Sequence, residues 1–400
     1  MARAVTFAPM IYLDNNATTK LDPRVLEAMM PFLTEEYGNP ASNHAFGVSV
    51  NQKVREAREQ VANLIGCEPF EITFTSGATE AINLALKGLV GTATPERRHI
   101  VTCQTEHSAV LDTCRYLETQ GVEVTYLPVQ PDGLIDLEAA KQHIRPTTLV
   151  VSIMLVNNET GVIQPIKELA AMAHEQGAYF MSDATQAVGK MPVSINDMGI
   201  DLMAFSAHKF YGPKGTGALY ARSRRPHKVK LQPLQHGGGH ERGLRSGTLN
   251  VPGIIGIGKA AALAKLEMKA DAERIRVLRD ELERALLGIP GTQVNGNSTF
   301  RLYNTTNLSF DGVDADALVL ALKDSIMLTN GSACLSDAHE PSHVLLAMSK
   351  STDQAYSSAR LSLSRFTSHS EIITAASTMN EKIGSLRALG TISMQNATTL

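Results

Sequence analysis

Five short polar segments stand directly after apolar runs, and each carries residue types that could do chemistry. Ser76-Gly77-Ala78-Thr79 follows Ile72–Thr75 and opens a helical pattern. Amides exposed at a helix N-terminus, with hydroxyls beside them, suit a phosphate group. A plain N-cap by Ser76 or Thr79, with Glu80 in the first turn, is the other reading. Thr105-Glu106-His107-Ser108 follows the run ending at Cys103, and His107 is either a ring-stacking or acid–base group or a helix-capping surface residue. Asn157 and Asn158, in the segment Val156–Gly161, bind a ligand or make a turn. Asp183, in Ser182-Asp183-Ala184-Thr185-Gln186, needs a partner if it is buried behind its apolar run. Ser206-Ala207-His208-Lys209 ends the next run, 26 residues after Asp183. An Asp and a Lys at successive strand ends match the needs of pyridoxal phosphate. The amine forms a Schiff base with the aldehyde, and the carboxylate keeps the pyridine nitrogen protonated. A salt bridge at the sheet edge is the plainer alternative for that pair. Each segment is weak evidence alone; all five in this order are strong. The absence of a G-x-G-x-x-G fingerprint counts against a nicotinamide cofactor.

Positioning such segments requires short strands alternating with helices. The spacing predicts strands at 72–75, 100–103, 122–127, 148–156, 179–182 and 202–205, and helices at 80–89, 108–120 and 166–176. That alternation argues for an α/β class, with a mostly parallel sheet covered on both faces and its chemistry at the carboxyl ends of the strands. A long helical stretch from Pro252 to about Leu287 reads as a linker out of the first domain, ended by Gly288–Pro290. The remainder, about 290–400, reads as a smaller α+β domain with a strand at 307–310, helices at 315–323 and 371–386, and a frayed polar tail from Thr391.

Composition narrows the function classes. The chain has 400 residues, 43% of them hydrophobic and 19% charged, which is an ordinary globular balance. A net charge of −3 offers no basic excess for a nucleic-acid backbone, so direct nucleic-acid binding is not expected. No apolar run is long enough to span a membrane, and the start MARAVTFAPM does not read as a secretory signal. Four cysteines, Cys67, Cys103, Cys114 and Cys334, show neither C-x-x-C spacing nor disulfide density, which suits a reduced cytoplasmic protein. No metal site is expected: His236-Gly237-Gly238-Gly239-His240 has too few ligands on too flexible a segment. The basic run 223–230 is a solvated loop or a contact for an acidic partner or nucleic acid.

These segments sit within a wider set: YLDNNATT (12–19), GNPASNHAFG (38–47), TSGATEAIN (75–83), TEHSAV (105–110), NNETG (157–161), DATQAVGK (183–190), SAHKFYGPKG (206–215), GGGHERGLRSGT (237–248), GSAC (331–334) and SARLSLSRFT (358–367). Together they resemble the cysteine desulfurases of the NifS/IscS class, in the class V aminotransferase family of fold-type I pyridoxal-phosphate enzymes. The resemblance covers about residue 11 to about residue 385. It implies a mostly parallel seven-stranded sheet flanked by helices in a large domain over 16–262. A small domain of 1–15 and 263–400 would carry the Cys334 loop.

Residue by residue, the resemblance implies Lys209 as the Schiff-base lysine and His107 as the ring-stacking, proton-handling group. Asp183 would pair with the pyridinium nitrogen and Gln186 would bond the phenolic oxygen. Gly77, Ala78, Thr79, Ser206 and His208 would hold the phosphate, and Thr248 would reach the phosphate of the other subunit of a homodimer. Asn158 and Arg360 would bind the substrate carboxylate, a task suited to the planar guanidinium fork. Cys334 would attack the sulfur of L-cysteine, keep it as a persulfide and pass it to an acceptor protein, leaving L-alanine. Its small-residue surroundings suit an accessible thiol, whereas Cys67, Cys103 and Cys114 lie in helix or strand patterns as buried hydrophobes. A selenocysteine lyase or a related aminotransferase is the alternative activity; the thiol in its GSAC setting argues against the aminotransferase. The chain departs from the family pattern at Leu335, at Ala347–Thr352 without a glycine, at Ser364 and in its C-terminal tail. Those departures point to a specialised sulfur acceptor, in dedicated iron–sulfur cluster assembly, tRNA thiolation or DNA phosphorothioation.

Overall fold

The structure, a computed structural model, describes residues 10–330 and 340–397. The chain opens with β1 (Ile11–Tyr12), α1 (Pro23–Met29), α2 (Pro31–Thr34) and α3 (Ala45–Ile65). It continues through β2 (Ile72–Thr75), α4 (Ala78–Val90), β3 (His99–Cys103), α5 (Ser108–Glu118), β4 (Glu123–Leu127), α6 (Leu137–His143), β5 (Thr148–Ser152), α7 (Ile166–Glu175), β6 (Tyr179–Asp183), β7 (Leu202–Ser206) and β8 (Gly217–Ala221). The long helix α8 (Val251–Leu287) leads to β9 (Thr292–Val294), β10 (Thr305–Phe310), α9 (Ala315–Leu322), β11 (Ile326–Met327), α10 (His343–Ala347), α11 (Thr352–Tyr356), β12 (Ser358–Ser362) and α12 (His369–Ala397).

The central sheet has seven strands in the order β2-β8-β7-β6-β5-β3-β4. It is parallel except that β8 runs antiparallel to both β2 and β7. The α/β class and the mostly parallel sheet expected from the alternation are therefore the observed ones. Successive side chains of a strand face opposite sides, and the core divides accordingly. Ile100, Val150, Met181, Leu202 and Leu219 pack under α4 and α5 with Leu86, Leu89 and Val110. Their neighbours Val101, Val151, Phe180, Met203 and Tyr220 pack on the other face with Val61 and Ile65 of α3, Leu169 of α7 and Ile257 of α8. Burial on both faces is why these strands read as unbroken apolar runs.

In α3, the buried Val50, Val54, Ala57, Val61 and Ile65 recur at helical spacing and form one stripe against α8. The helices come close enough there that a side chain at Gly258 would sit 2.6 Å from Ala57. Beyond α8, β12-β10-β9 form an antiparallel three-stranded sheet, and β1 pairs with β11. The N-terminal strand is thus tied to the C-terminal part of the chain.

Two expectations change. The strand expected over 148–156 ends at Ser152, although the amides of Ile153 and Leu155 still donate to the Met181 and Asp183 carbonyls of β6. The Met154 amide donates instead to Glu106 Oε1 at 2.6 Å, which withdraws it from the ladder with β3. The segment expected to fray from Thr391 is helical through Ala397, and no proline interrupts it.

Candidate active site

The strand order reverses beside β5: after β3 the chain moves out to β4, and after β5 it moves the other way to β6 and β7. Loops leaving the carboxyl ends in opposite directions open a crevice there. A cavity of about 320 Å³ fills it, lined by Asn16, Ala78, Thr79, His107, Asn158, Asp183, Gln186, Ser206, His208, Lys209 and Arg360 among others. Residues from eight segments of the sequence thus converge on one space.

On one side, the turn between β2 and α4 meets the end of β7. The buried Ser206 Oγ accepts from the Ala78 amide at 2.7 Å, and Gly77 lies close beside it. The Thr79 side chain stands exposed in the first turn of α4. Gly217 of β8 makes this approach possible, because a Cβ there would fall 2.6 Å from both Gly77 Cα and the Phe205 carbonyl. Lys209 sits on the turn after β7 and donates from Nζ to the carbonyls of Asn16 at 2.7 Å and Ala17 at 2.8 Å. His208 faces Thr18, with Nδ1 3.1 Å from its Oγ1. Burial, with Lys209 and other lysines nearby, pulls the His208 pKa down to about 4, so the ring is neutral at physiological pH.

On the sheet floor, Asp183 ends β6, is buried, and accepts the Thr185 amide at 2.9 Å. His107 caps α5, its Nδ1 accepting the Ala109 amide at 3.0 Å. Burial lowers its pKa, Asp183 works against that, and Lys209 and His343 add to it. Behind it lies Glu106, wholly buried, whose carboxyl is pushed well above its ordinary value by burial.

At the far wall, Arg360 of β12 donates to Asp14 at 2.6 Å and to the Asn158 carbonyl at 3.1 Å. Asn158 Oδ1 and Arg360 Nε are buried without a protein partner. The resemblance implies a carboxylate grip for Arg360; in the structure, part of its fork is already held by Asp14.

The structure thus brings Lys209, His107, Asp183, Gln186, Ala78, Thr79, Ser206, His208, Asn158 and Arg360 to one cavity, with Gly77 in the turn beside it. It does not bring Thr248 there: that residue is exposed and lines a separate open groove with His236, Gly238 and His240. Cys334 lies outside the described residues, while Glu340, Pro341, Ser342 and His343 line the cavity. Sequence reasoning missed Asn16, the hub of the site. Its carbonyl serves Lys209 and Gln186, and its Nδ2 reaches the Asn158 carbonyl and Thr305. It also missed Glu159, buried and bonded by Ser342 Oγ at 2.5 Å.

A His-Asp-His cluster, His174, Asp201 and His227, sits at the opposite, amino-terminal end of β7. The two rings stack at 3.8 Å and 11°, so their in-plane lone pairs run parallel instead of converging on one ion. Asp201 is already taken by Arg222, His174 and the Phe180 amide. The cluster is an ion-paired support under the sheet.

The cavity at a topological switch point of a mostly parallel sheet, with a lysine and an aspartate on neighbouring strand ends, defines a class. The chain belongs to the class-V aminotransferase family, whose model matches residues 11–374. Within that family its relatives are cysteine desulfurases. It is 50% identical over 387 residues to the cysteine desulfurase IscS of Methylobacillus flagellatus, covering 96% of this chain and 95% of that one. Among solved structures it is similar to a NifS-like protein, with TM-score 0.88 and 38% identity over 94% of this chain and 100% of that one. It is also similar to SspA in complex with cysteine, with TM-score 0.79 and 35% identity over 90% of this chain and 100% of that one.

Proposed function

We propose that the chain is a pyridoxal-phosphate-dependent cysteine desulfurase. It would take sulfur from L-cysteine, release L-alanine and hold the sulfur as a persulfide on Cys334 for an acceptor protein. The observation that carries this reading is the convergence of Lys209, Asp183 and His107 on one cavity in a chain half identical to named cysteine desulfurases. The donor set fits the cofactor. A helix N-terminus with Ser206 suits a phosphate, a buried carboxylate suits a pyridinium, and an amine stands 26 residues on. Asn158 Oδ1 and Thr185 Oγ1, both buried without a protein partner, belong to residues lining the same space.

Bound pyridoxal phosphate supplies an electron sink for charge developing at the substrate Cα. The chain's own residues orient and move protons. Lys209 is the covalent anchor and the base for the Cα proton, held by the carbonyls of Asn16 and Ala17. Asp183 keeps the pyridine nitrogen protonated, and Gln186 bonds the phenolic oxygen. Ala78, Thr79, Ser206 and His208 hold the phosphate, with Gly77 leaving room for it. His107, its pKa lowered chiefly by burial, takes up the thiol proton of the substrate. Arg360 and Asn158 hold the carboxylate. The Cys334 thiolate attacks the substrate sulfur; the C–S bond breaks as the S–S bond forms, and alanine leaves after reprotonation.

A homodimer in which Thr248 of each chain completes the phosphate site of the other accounts for its position outside its own cavity. The reading also holds the large domain as 16–262 and the small one as 1–15 with 263–400. It places the protein in the cytoplasm, and no described helix is long and apolar enough to cross a membrane. The acceptor belongs to iron–sulfur assembly, tRNA thiolation or DNA phosphorothioation, without direct nucleic-acid contact by this chain. The test is to incubate the purified protein with L-cysteine and a thiol reductant and to assay sulfide and alanine together. Equal amounts of both, abolished in Lys209→Ala and Cys334→Ser, are expected. A yellow protein that forms neither product overturns the activity.

A further inference from the structure

Lys190 is a buried lysine that the reaction above does not use. It is 3% exposed, and burial beside the charges of Lys209 and Arg360 drives its pKa well below the usual lysine value. Its Nζ donates to Gln186 Oε1 at 2.7 Å and lies 3.4 Å from Asn16 Oδ1. On the other side of the same amide, Gln186 Nε2 donates to the Asn16 carbonyl at 2.9 Å. That carbonyl also accepts Lys209 Nζ at 2.7 Å.

A glutamine amide can turn over with almost no change of shape, which exchanges an acceptor for two donors. Here only one orientation satisfies both neighbours. A backbone carbonyl only accepts, so the nitrogen must face Asn16; the lysine donates, so the oxygen must face Lys190. One amide hydrogen goes to Asn16. The other is left for the cavity that Gln186 lines.

We propose that Lys190 is a positioning residue: by holding Gln186 Oε1 it makes Gln186 present an N–H to the ligand and thereby selects an anionic oxygen at that place. This rests on the cofactor reading above, in which that oxygen is the phenolic one of pyridoxal phosphate. A residue that only filled space would not care which end of the amide faced the ligand.

The test uses Lys190→Met, Gln186→Ala and the double variant. Each apoprotein is titrated with pyridoxal phosphate, and the pH midpoint of the visible absorbance of each loaded protein is recorded. Loss of Lys190 is expected to weaken cofactor binding about 10-fold and to move the midpoint to higher pH, because one oriented hydrogen bond to the ionised oxygen is lost. In the Gln186→Ala background the same change should alter affinity by no more than about twofold. Equal effects in both backgrounds, or no effect in either, overturn the proposal. Should Lys190→Met not fold, Gln186→Glu decides the matter. It leaves Lys190 a partner and puts an acceptor where the donor stood, so affinity must fall about 10-fold or more. Unchanged affinity would mean that an acceptor already faced the ligand. Wild-type protein that binds no pyridoxal phosphate refutes the cofactor reading itself; wild-type binding with Lys190→Met unaltered refutes only the role of Lys190.

Discussion

Ser206→Ala separates what a side chain does for the fold from what it does for a bound phosphate. Ser206 Oγ accepts the Ala78 amide at 2.7 Å, and both residues are buried. Removing the oxygen leaves an N–H at the start of α4 without its partner, at a cost of about 1–3 kcal/mol. That loss belongs to the apoprotein and appears as a lower urea midpoint at unchanged slope. The cofactor role adds a second, separable effect. Ligand at 100 times its Kd stabilises the folded state by about 2.7 kcal/mol, and a variant that binds it tenfold more weakly gains only about 1.4 kcal/mol at the same concentration. The gap between variant and wild type should therefore widen by about 1.3 kcal/mol when pyridoxal phosphate is added. Thr79→Ala is the control: its side chain is exposed, so apoprotein stability should stay within about 0.5 kcal/mol of wild type while cofactor affinity falls. An apoprotein of Ser206→Ala as stable as wild type would refute the capping argument. A gap that does not widen on adding cofactor would refute the phosphate role.

Gly217→Ala should destabilise the protein by about 1–3 kcal/mol and weaken cofactor binding, because its Cβ would press on Gly77 and the Phe205 carbonyl; wild-type affinity in a titration would contradict this. Arg360→Lys keeps the charge and loses the planar fork, so KM for L-cysteine should rise roughly tenfold or more, and an unchanged KM would remove Arg360 from substrate binding. His99 and His208 both have pKa values drawn down to about 4 by burial, while in the unfolded chain they titrate near 6.5. Between those values the unfolded chain binds more protons, so stability is full above about pH 6.5 and is lost as pH falls toward 4. His99→Gln, which can replace the bonds from the ring to Thr125 and Thr148, should flatten that slope in urea unfolding at several pH values.

How much of this was legible in the sequence follows from how each residue acts. The strand ends were readable because the runs are mostly apolar and buried on both faces, and dense polar segments follow them. Asp183 and Lys209 announce themselves by type at such places. β8 did not read as a strand: Gly217, Ala218 and Ala221 are too small to make an apolar run, and its value lies in that smallness, which lets the 76–78 turn approach. Asn16 was hidden for a different reason. It serves Lys209 and Gln186 through its backbone carbonyl, and a carbonyl carries no residue signature. Glu159 and Ser342 stand 183 residues apart, and Asp14 and Arg360 stand 346 apart. Arg360 was singled out by resemblance, but its partner Asp14, and the pair Glu159 and Ser342, each read alone as ordinary polar groups; Asp14 comes beside Arg360 through its bridge to Ser362 of β12. Lys190 shows the limit most clearly. Four residues beyond Gln186 and next to a glycine, it looks like a solvated lysine at the end of a turn. Its meaning lies in the direction of one hydrogen bond, which decides whether the site offers a bound oxygen a donor or an acceptor.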